Sequence, residues 1–232
     1  MEFMLLFMVR HGAPKPEPAG LAEMGKFAAD LASQGKLRRG APLGDESAGA
    51  RVRVRAGRAL VSDGPFAETK EVVAGFWIID ADSRAEAIDI ARRTPHARGG
   101  VVEVHAVQFR ETAPDPETGT PFLMVFGMEP GLTDPDGSKL REMLDFGEGL
   151  KREGKLFETA PLAADPPPAR IEPRDGATLV TDGPFAESKE AVGGYGLVRV
   201  SGRAEAIDLA KRYPHAKWGP VEVREVLFFD RT

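Results

Sequence analysis

Asp63-Gly64-Pro65-Phe66-Ala67-Glu68-Thr69-Lys70-Glu71 returns 119 positions later as Asp182-Gly183-Pro184-Phe185-Ala186-Glu187-Ser188-Lys189-Glu190. The same offset carries Arg84-Ala85-Glu86-Ala87-Ile88-Asp89 onto Arg203 through Asp208, and Pro95-His96-Ala97 onto Pro214-His215-Ala216. From Asp63 to Val107, 26 of 45 positions are identical, and the correspondence runs without a gap from residues 3–107 to residues 122–226. One structural unit is therefore written twice. Its copies occupy residues 1–110 and 121–232, joined by residues 111–120, a polar stretch with two prolines and a glycine that reads as a surface linker.

Within one copy the hydrophobic pattern sets the order of elements. Phe3 to Met8 is a continuous apolar run, as expected of a strand buried on both faces. Leu21, Met24, Ala28 and Leu31 then recur at helical spacing, with Gly35 as a stop; Leu140, Met143, Gly147 and Leu150 repeat the stripe. Arg51-Val52-Arg53-Val54-Arg55 alternates and turns at Ala56-Gly57 into Ala59-Leu60-Val61, a hairpin. In the second copy the turn is Asp175-Gly176, and Pro173 suggests an edge strand. Gly75 to Ile79 is a strand, Ser83-Arg84-Ala85-Glu86 opens a helix with a capping box, and Pro95 ends it. That helix should bury Ala87, Ile90, Ala91 and Thr94, and Val101 to Val107 forms a last strand.

This order predicts an α+β fold: two tandem ferredoxin-like βαββαβ repeats, each with an inserted hairpin and helices on one sheet face. The bare apolar face of each sheet needs a cover, and the duplication supplies one. The two sheets are expected to pack face to face as an α+β barrel, a pseudo-dimer within one chain.

Composition bounds the function. The chain has 232 residues, 42% hydrophobic and 29% charged, with formal net charge −5 and no basic stripe, so a nucleic-acid groove has little support. It has no cysteine, which removes disulfides, thiolate metal sites and a cysteine nucleophile. Met1 to Met8 lacks the preceding basic residues and the length of a signal peptide or membrane span, so the expectation is a cytoplasmic protein without membrane contact.

The Asp-Gly-Pro-Phe-Ala-Glu-(Thr/Ser)-Lys-Glu segment, followed by Gly75 or Gly194, by Arg-Ala-Glu-Ala and by Val-Glu-Val, resembles the YCII-related proteins, and among them the DGPF branch. The resemblance covers both copies nearly end to end. It implies a dimeric α+β barrel, usually built from two chains, and a family whose biochemical role is mostly unknown. Bacterial members of the branch are often encoded beside alternative sigma factors, which implies a regulatory setting. Related proteins carry a histidine on the first helix and an aspartate just before the proline ending the second, proposed as a catalytic pair. Those slots fall here on Met24 and Met143, and on Thr94 and Tyr213, so neither half keeps the pair.

The candidate pocket residues are Asp63, Phe66, Glu68 and Lys70 with His96, and their counterparts Asp182, Phe185, Glu187 and Lys189 with His215. Carboxylates beside a lysine can do acid–base work if burial separates their pKa values, with the phenylalanine as a stacking wall. Equally, Asp-Gly-Pro is a turn, the phenylalanine anchors it, and the charges make surface ion pairs; this structural reading is the favoured one. His96 and His215 could serve as base or ligand, but no second ligand sits at metal spacing, and a polar surface loop is the simpler reading. No metal or cofactor is expected. Arg53 and Arg55 alternate on one strand face, an arrangement that suits an anion, yet the second copy offers Glu172 and Arg174, and a solvated strand face is favoured. Glu103 and Glu222, if buried, require partners such as arginine. Trp77 matches Gly196, and Gly99 matches Trp218, so two pockets would not be equivalent.

The leading expectation is a small-molecule-binding or regulatory module with the Asp-Gly-Pro-Phe loops at its rim. The rivals are a cofactor-independent isomerase or hydrolase working through those carboxylates, and a protein-interaction module. Whether the chain is an enzyme stays open, with the missing pair counting against it. A ligand or protein partner, and a further homodimer, are compatible with the sequence.

Overall fold

The computed structural model describes residues 1–14, 17–66, 71–129, 131–174, 176–183, 185 and 191–227. The first repeat runs β1 (Glu2–Arg10), α1 (Pro18–Ser33), β2 (Leu37–Pro42), β3 (Ala50–Arg55), β4 (Arg58–Asp63), β5 (Glu71–Asp80), α2 (Arg84–Arg93) and β6 (Val101–Ala106). A two-residue strand, β7 (Glu111–Thr112), follows. The second repeat gives β8 (Thr120–Met128), α3 (Ser138–Arg152), β9 (Leu156–Pro161), β10 (Ala169–Arg174), β11 (Ala177–Asp182), β12 (Ala191–Val200), α4 (Arg203–Arg212) and β13 (Val221–Glu225).

Each sheet has the ferredoxin-like order at its centre, β6-β1-β5-β2 in one and β13-β8-β12-β9 in the other, with antiparallel pairing between neighbours. The hairpins do not stay at home. The β3–β4 hairpin of the first repeat pairs with β13 of the second, and the β10–β11 hairpin pairs with β6 of the first. Each sheet is thus completed by a hairpin from the other repeat. Pro173 lies in an interior strand rather than at an edge. The sheet tolerates it because the β10–β6 ladder covers only Ala169 to Ile171, so its missing N–H costs no bond there.

Strand alternation explains the layers. On β1, Phe3, Leu5 and Phe7 face the helices, where they pack with Leu31, Ile90 and Ala91. Met4 and Leu6 face the other way, into a core shared with Leu123, Val125 and Leu197 of the second sheet. The molecule is therefore helix, sheet, sheet, helix, with the duplicated sheets closing on each other as the sequence predicts. The second helical layer holds Phe122, Met124, Leu150 and Leu209.

Helix boundaries follow the sequence cues. Ser83 caps α2 by accepting from Glu86 N, while the Glu86 carboxylate accepts from Asp82 N at 2.7 Å. Ala87, Ile90, Ala91 and Thr94 are buried as expected. Leu21 is not: it stands 51% exposed at the start of α1, outside the buried stripe. No helix among the described residues is long and apolar enough to cross a membrane.

The linker is tied down more than its composition suggests. Glu111–Thr112 adds to the edge of β9, and Asp115 holds buried Arg199 by two hydrogen bonds of 2.9 and 3.0 Å. A pseudo-twofold axis relates the halves, and Arg39 and Glu158, which occupy equivalent positions 119 apart, meet each other across it at 2.8 Å.

Candidate functional site

The hairpin exchange decides what the Asp-Gly-Pro-Phe segments do. Asp63 pairs with Arg203, and Asp182 pairs with Arg84, so each motif aspartate is bound by the Arg-Ala-Glu-Ala helix of the opposite repeat. Arg203 also donates to the carbonyls of Ala48 and Gly49, and Arg84 to that of Pro167. Two motifs far apart in sequence are partners in space, a structural reason for both to recur. Both aspartates are well exposed, so these pairs pin loops more than they stabilise the fold.

Phe66 is buried, with its ring under the Arg51 guanidinium at 4.6 Å, and its N–H donates to Glu46 at 2.7 Å. Phe185 stands similarly to Arg170, at 5.8 Å. Glu46 itself is shared with His11 Nδ1 at 2.9 Å. Gly64 is required here, since a Cβ would stand 2.0 Å from the Glu46 carbonyl oxygen. Glu68, Lys70, Glu187 and Lys189 lie outside the described residues.

Under these loops the predicted buried glutamates have their arginines. Arg51 donates to Glu222 from Nε and Nη2, both at 3.0 Å, and Arg224 reaches the same carboxylate at 3.2 Å. In the equivalent place Arg170 reaches Glu103 at 3.2 Å and Glu71 at 2.6 Å, while His105 stands where Arg224 does, 3.0 Å from Glu103. Burial alone would push the Glu103 carboxyl up; His105 and Arg170 outweigh it and hold the group below its ordinary value. A third buried cluster lies between the sheets, where Tyr195 donates to Glu158 at 2.8 Å and Arg39 and Arg110 complete it. Burial, then the Glu158 charge, raises the Tyr195 phenol well above its usual range. The glutamates at their centres are buried, and the clusters act as polar locks between repeats.

His96 and His215 are not surface-loop residues. Their Nε2 atoms donate to the carbonyls of Met8 and Gly127 at 2.9 and 2.8 Å, and their rings stand 5.3 Å from Phe7 and Phe126. Burial lowers both pKa values, so each ring is a neutral staple between the loop after α2 or α4 and the first strand of its repeat. The slots of the family pair are also packing positions. Thr94 is buried and bonds back to the Ala91 carbonyl, Tyr213 is fully enclosed, and Met24 and Met143 lie against the helical cores. Among the described residues no cluster of three His, Asp or Glu is placed to hold a metal.

Among the described residues, an open cleft lies away from these loops. It has a volume of about 320 Å³ and forms where the turn of the β3–β4 hairpin meets the loop after α4 and the end of β8. Arg53, Arg55, Glu129, Lys217 and Trp218 are among the residues that line it, on a chain of net charge −5. The hairpin turns here on Ala56 and Gly57, both at positive φ (48° and 74°), which presents Arg53 and Arg55 at the rim. Arg53 and Arg55 both reach Glu129 Oε1, the second at 3.2 Å. Lys217 pairs with Glu142 at 2.5 Å, and the Lys139 ammonium lies 5.8 Å from the centre of the Trp218 ring. Because the arginines come from the first repeat and the tryptophan from the second, this site exists only through the hairpin exchange. The sequence signal for it was present in the breaks of the repeat: Arg53 against Glu172, and Trp218 against Gly99.

The sheet order and face-to-face packing define an α+β barrel of the dimeric type closed within a single chain. The YCII-related domain model matches residues 1–110 and again 121–230, and the chain belongs to that family. An uncharacterized protein of Rhizobium meliloti (strain 1021) is 49% identical over 63 residues, covering 27% of this chain and 51% of the relative, so the chain spans about half the length of the curated relative it matches. The crystal structure of an anthrone oxidase-like protein aligns over 98% of this chain and 92% of its own, with 9% identity and a TM-score of 0.37.

Proposed function

We propose that this protein is a small-molecule-binding module whose ligand is anionic and sits in the cleft between the Arg53–Arg55 strand and Trp218. The observation that supports it is a pair of guanidinium groups beside an indole in a concave site on an acidic chain. Guanidinium pairs on adjacent same-face strand positions favour an anion with planar oxygens. The cleft volume is at the small end of ligand sites, which run from about 300 to 1,000 Å³. A binding and sensing role is in keeping with the regulatory setting that the family resemblance implies.

The test is a thermal-shift screen against a broad set of organic and inorganic anions, repeated on the Arg53→Ala/Arg55→Ala double variant. A ligand at a hundred times its dissociation constant adds about 2.7 kcal/mol of stability, which moves the midpoint visibly. The reading fails if no anion stabilises the protein, or if the double variant responds to the same anions as strongly as the parent.

A further inference from the structure

We infer that the ligand class is a planar aromatic carboxylate, its ring against Trp218 and its carboxylate taking the place of Glu129 at Arg53 and Arg55. This rests on the anion-binding reading above and narrows it. The cleft already contains a carboxylate: a single oxygen of Glu129 receives both guanidinium groups, so the arginines are arranged around a carboxylate-sized anion supplied by the chain itself. Glu129 is a carboxylate tethered on its own side chain and paired with both arginines. A ligand carboxylate can replace it with the same geometry and add its second oxygen, since bidentate pairing is the preferred mode for guanidinium.

Trp218 supplies the other half of the specificity. It is half-buried, with the His215 ring edge-on at 6.3 Å and 82° and the Lys139 ammonium 5.8 Å from its centre. An indole in a cleft favours flat aromatic surface over a flexible aliphatic chain, because offset stacking adds to area burial. Ala56, Ala216 and Gly219 complete the lining of the cleft. Arg55, Ala216 and Gly219 recur in the other half as Arg174, Ala97 and Gly100, but Glu172 and Gly99 stand at the places of Arg53 and Trp218, so neither the arginine pair nor the indole is repeated. The stoichiometry is therefore one ligand per chain despite the duplicated fold.

Isothermal titration of the full chain with 2-naphthoate, cyclohexanecarboxylate and inorganic phosphate separates the outcomes. The expected result is one site per chain, with 2-naphthoate binding at least tenfold tighter than cyclohexanecarboxylate. Trp218→Ala should lose that tenfold, Trp218→Phe should recover most of it, and Glu129→Gln should tighten binding severalfold by removing the internal competitor. Equal binding of the two carboxylates, an unchanged affinity in Trp218→Ala, or a preference for phosphate overturns the aromatic-carboxylate class while leaving an anion site dependent on Arg53 and Arg55. Two equivalent sites per chain, or no binding of 2-naphthoate to either the parent or Glu129→Gln, overturns it as well. The broader reading falls separately, only if no anion responds to loss of the two arginines.

Discussion

Replacing Arg170 with methionine should be among the most damaging single changes to an ion pair in this protein. Arg170 sits 3.2 Å from Glu103, whose side chain is only 8% exposed, and also holds Glu71 and Glu172. At that separation and an effective dielectric of about 20, the attraction to Glu103 is about 5 kcal/mol. Glu71 and Glu172 are more exposed and regain water when the arginine goes. Glu103 cannot, and is left buried with His105 alone, so the expected loss is about 3–5 kcal/mol. Urea unfolding at pH 7 reads this as a lowered midpoint at unchanged slope. Glu103 is held below its ordinary value in the parent, so its contribution is complete above that value and is lost as pH falls through the lowered one. In Arg170→Met the carboxyl moves upward instead, and protonating it relieves the unpaired charge. The gap between parent and variant should therefore narrow between pH 7 and pH 5. Replacing both partners, Arg170→Met/Glu103→Met, should recover to within about 1 kcal/mol of the parent. A loss under about 1 kcal/mol at pH 7, or a double variant no better than the single, refutes the reasoning.

Gly64→Ala should cost several times more than Gly183→Ala in thermal denaturation, because its Cβ meets the Glu46 backbone oxygen at 2.0 Å whereas the equivalent atom meets the Pro168 ring at 3.2 Å. Tyr195→Phe leaves Glu158 without its phenol donor and should lower stability by about 1–3 kcal/mol in urea, with no change in secondary structure by circular dichroism. Glu205, held at about 2 by Ser201 and Lys155, contributes stability that is complete above the ordinary glutamate range and disappears as pH falls toward 2; Glu205→Gln should flatten that part of the acid unfolding profile.

Much of the fold was legible because its cues are local. Ser83 with Glu86, the proline after α2, and the unbroken apolar run of β1 each fix an element by chemistry acting over a few residues. The second sheet followed from the repeat, since a bare apolar face must be covered. What the pattern did not reveal was the destination of each hairpin. Alternation along Arg51 to Arg55 says that a strand forms and which face is inward, but β6 and β13 are near-identical edges, and nothing in the periodicity chooses between them. Asp63 and His96 were visible as recurring residues, but recurrence marked structural partners, Arg203 and the Met8 carbonyl. The cleft was marked instead by residues that fail to recur, a weaker signal because divergence has many causes.

The meeting of Arg39 with Glu158 on the pseudo-twofold has a consequence for pairing. In a two-chain barrel made of identical subunits, the residue at that place faces its own copy, and like charges would meet there. A pair of first repeats would oppose two arginines; a pair of second repeats would enclose two carboxylates away from water, at a cost of several kcal/mol. Severed at the linker, the two halves should accordingly seek each other and reject themselves, a left and a right glove where a homodimer has two of the same.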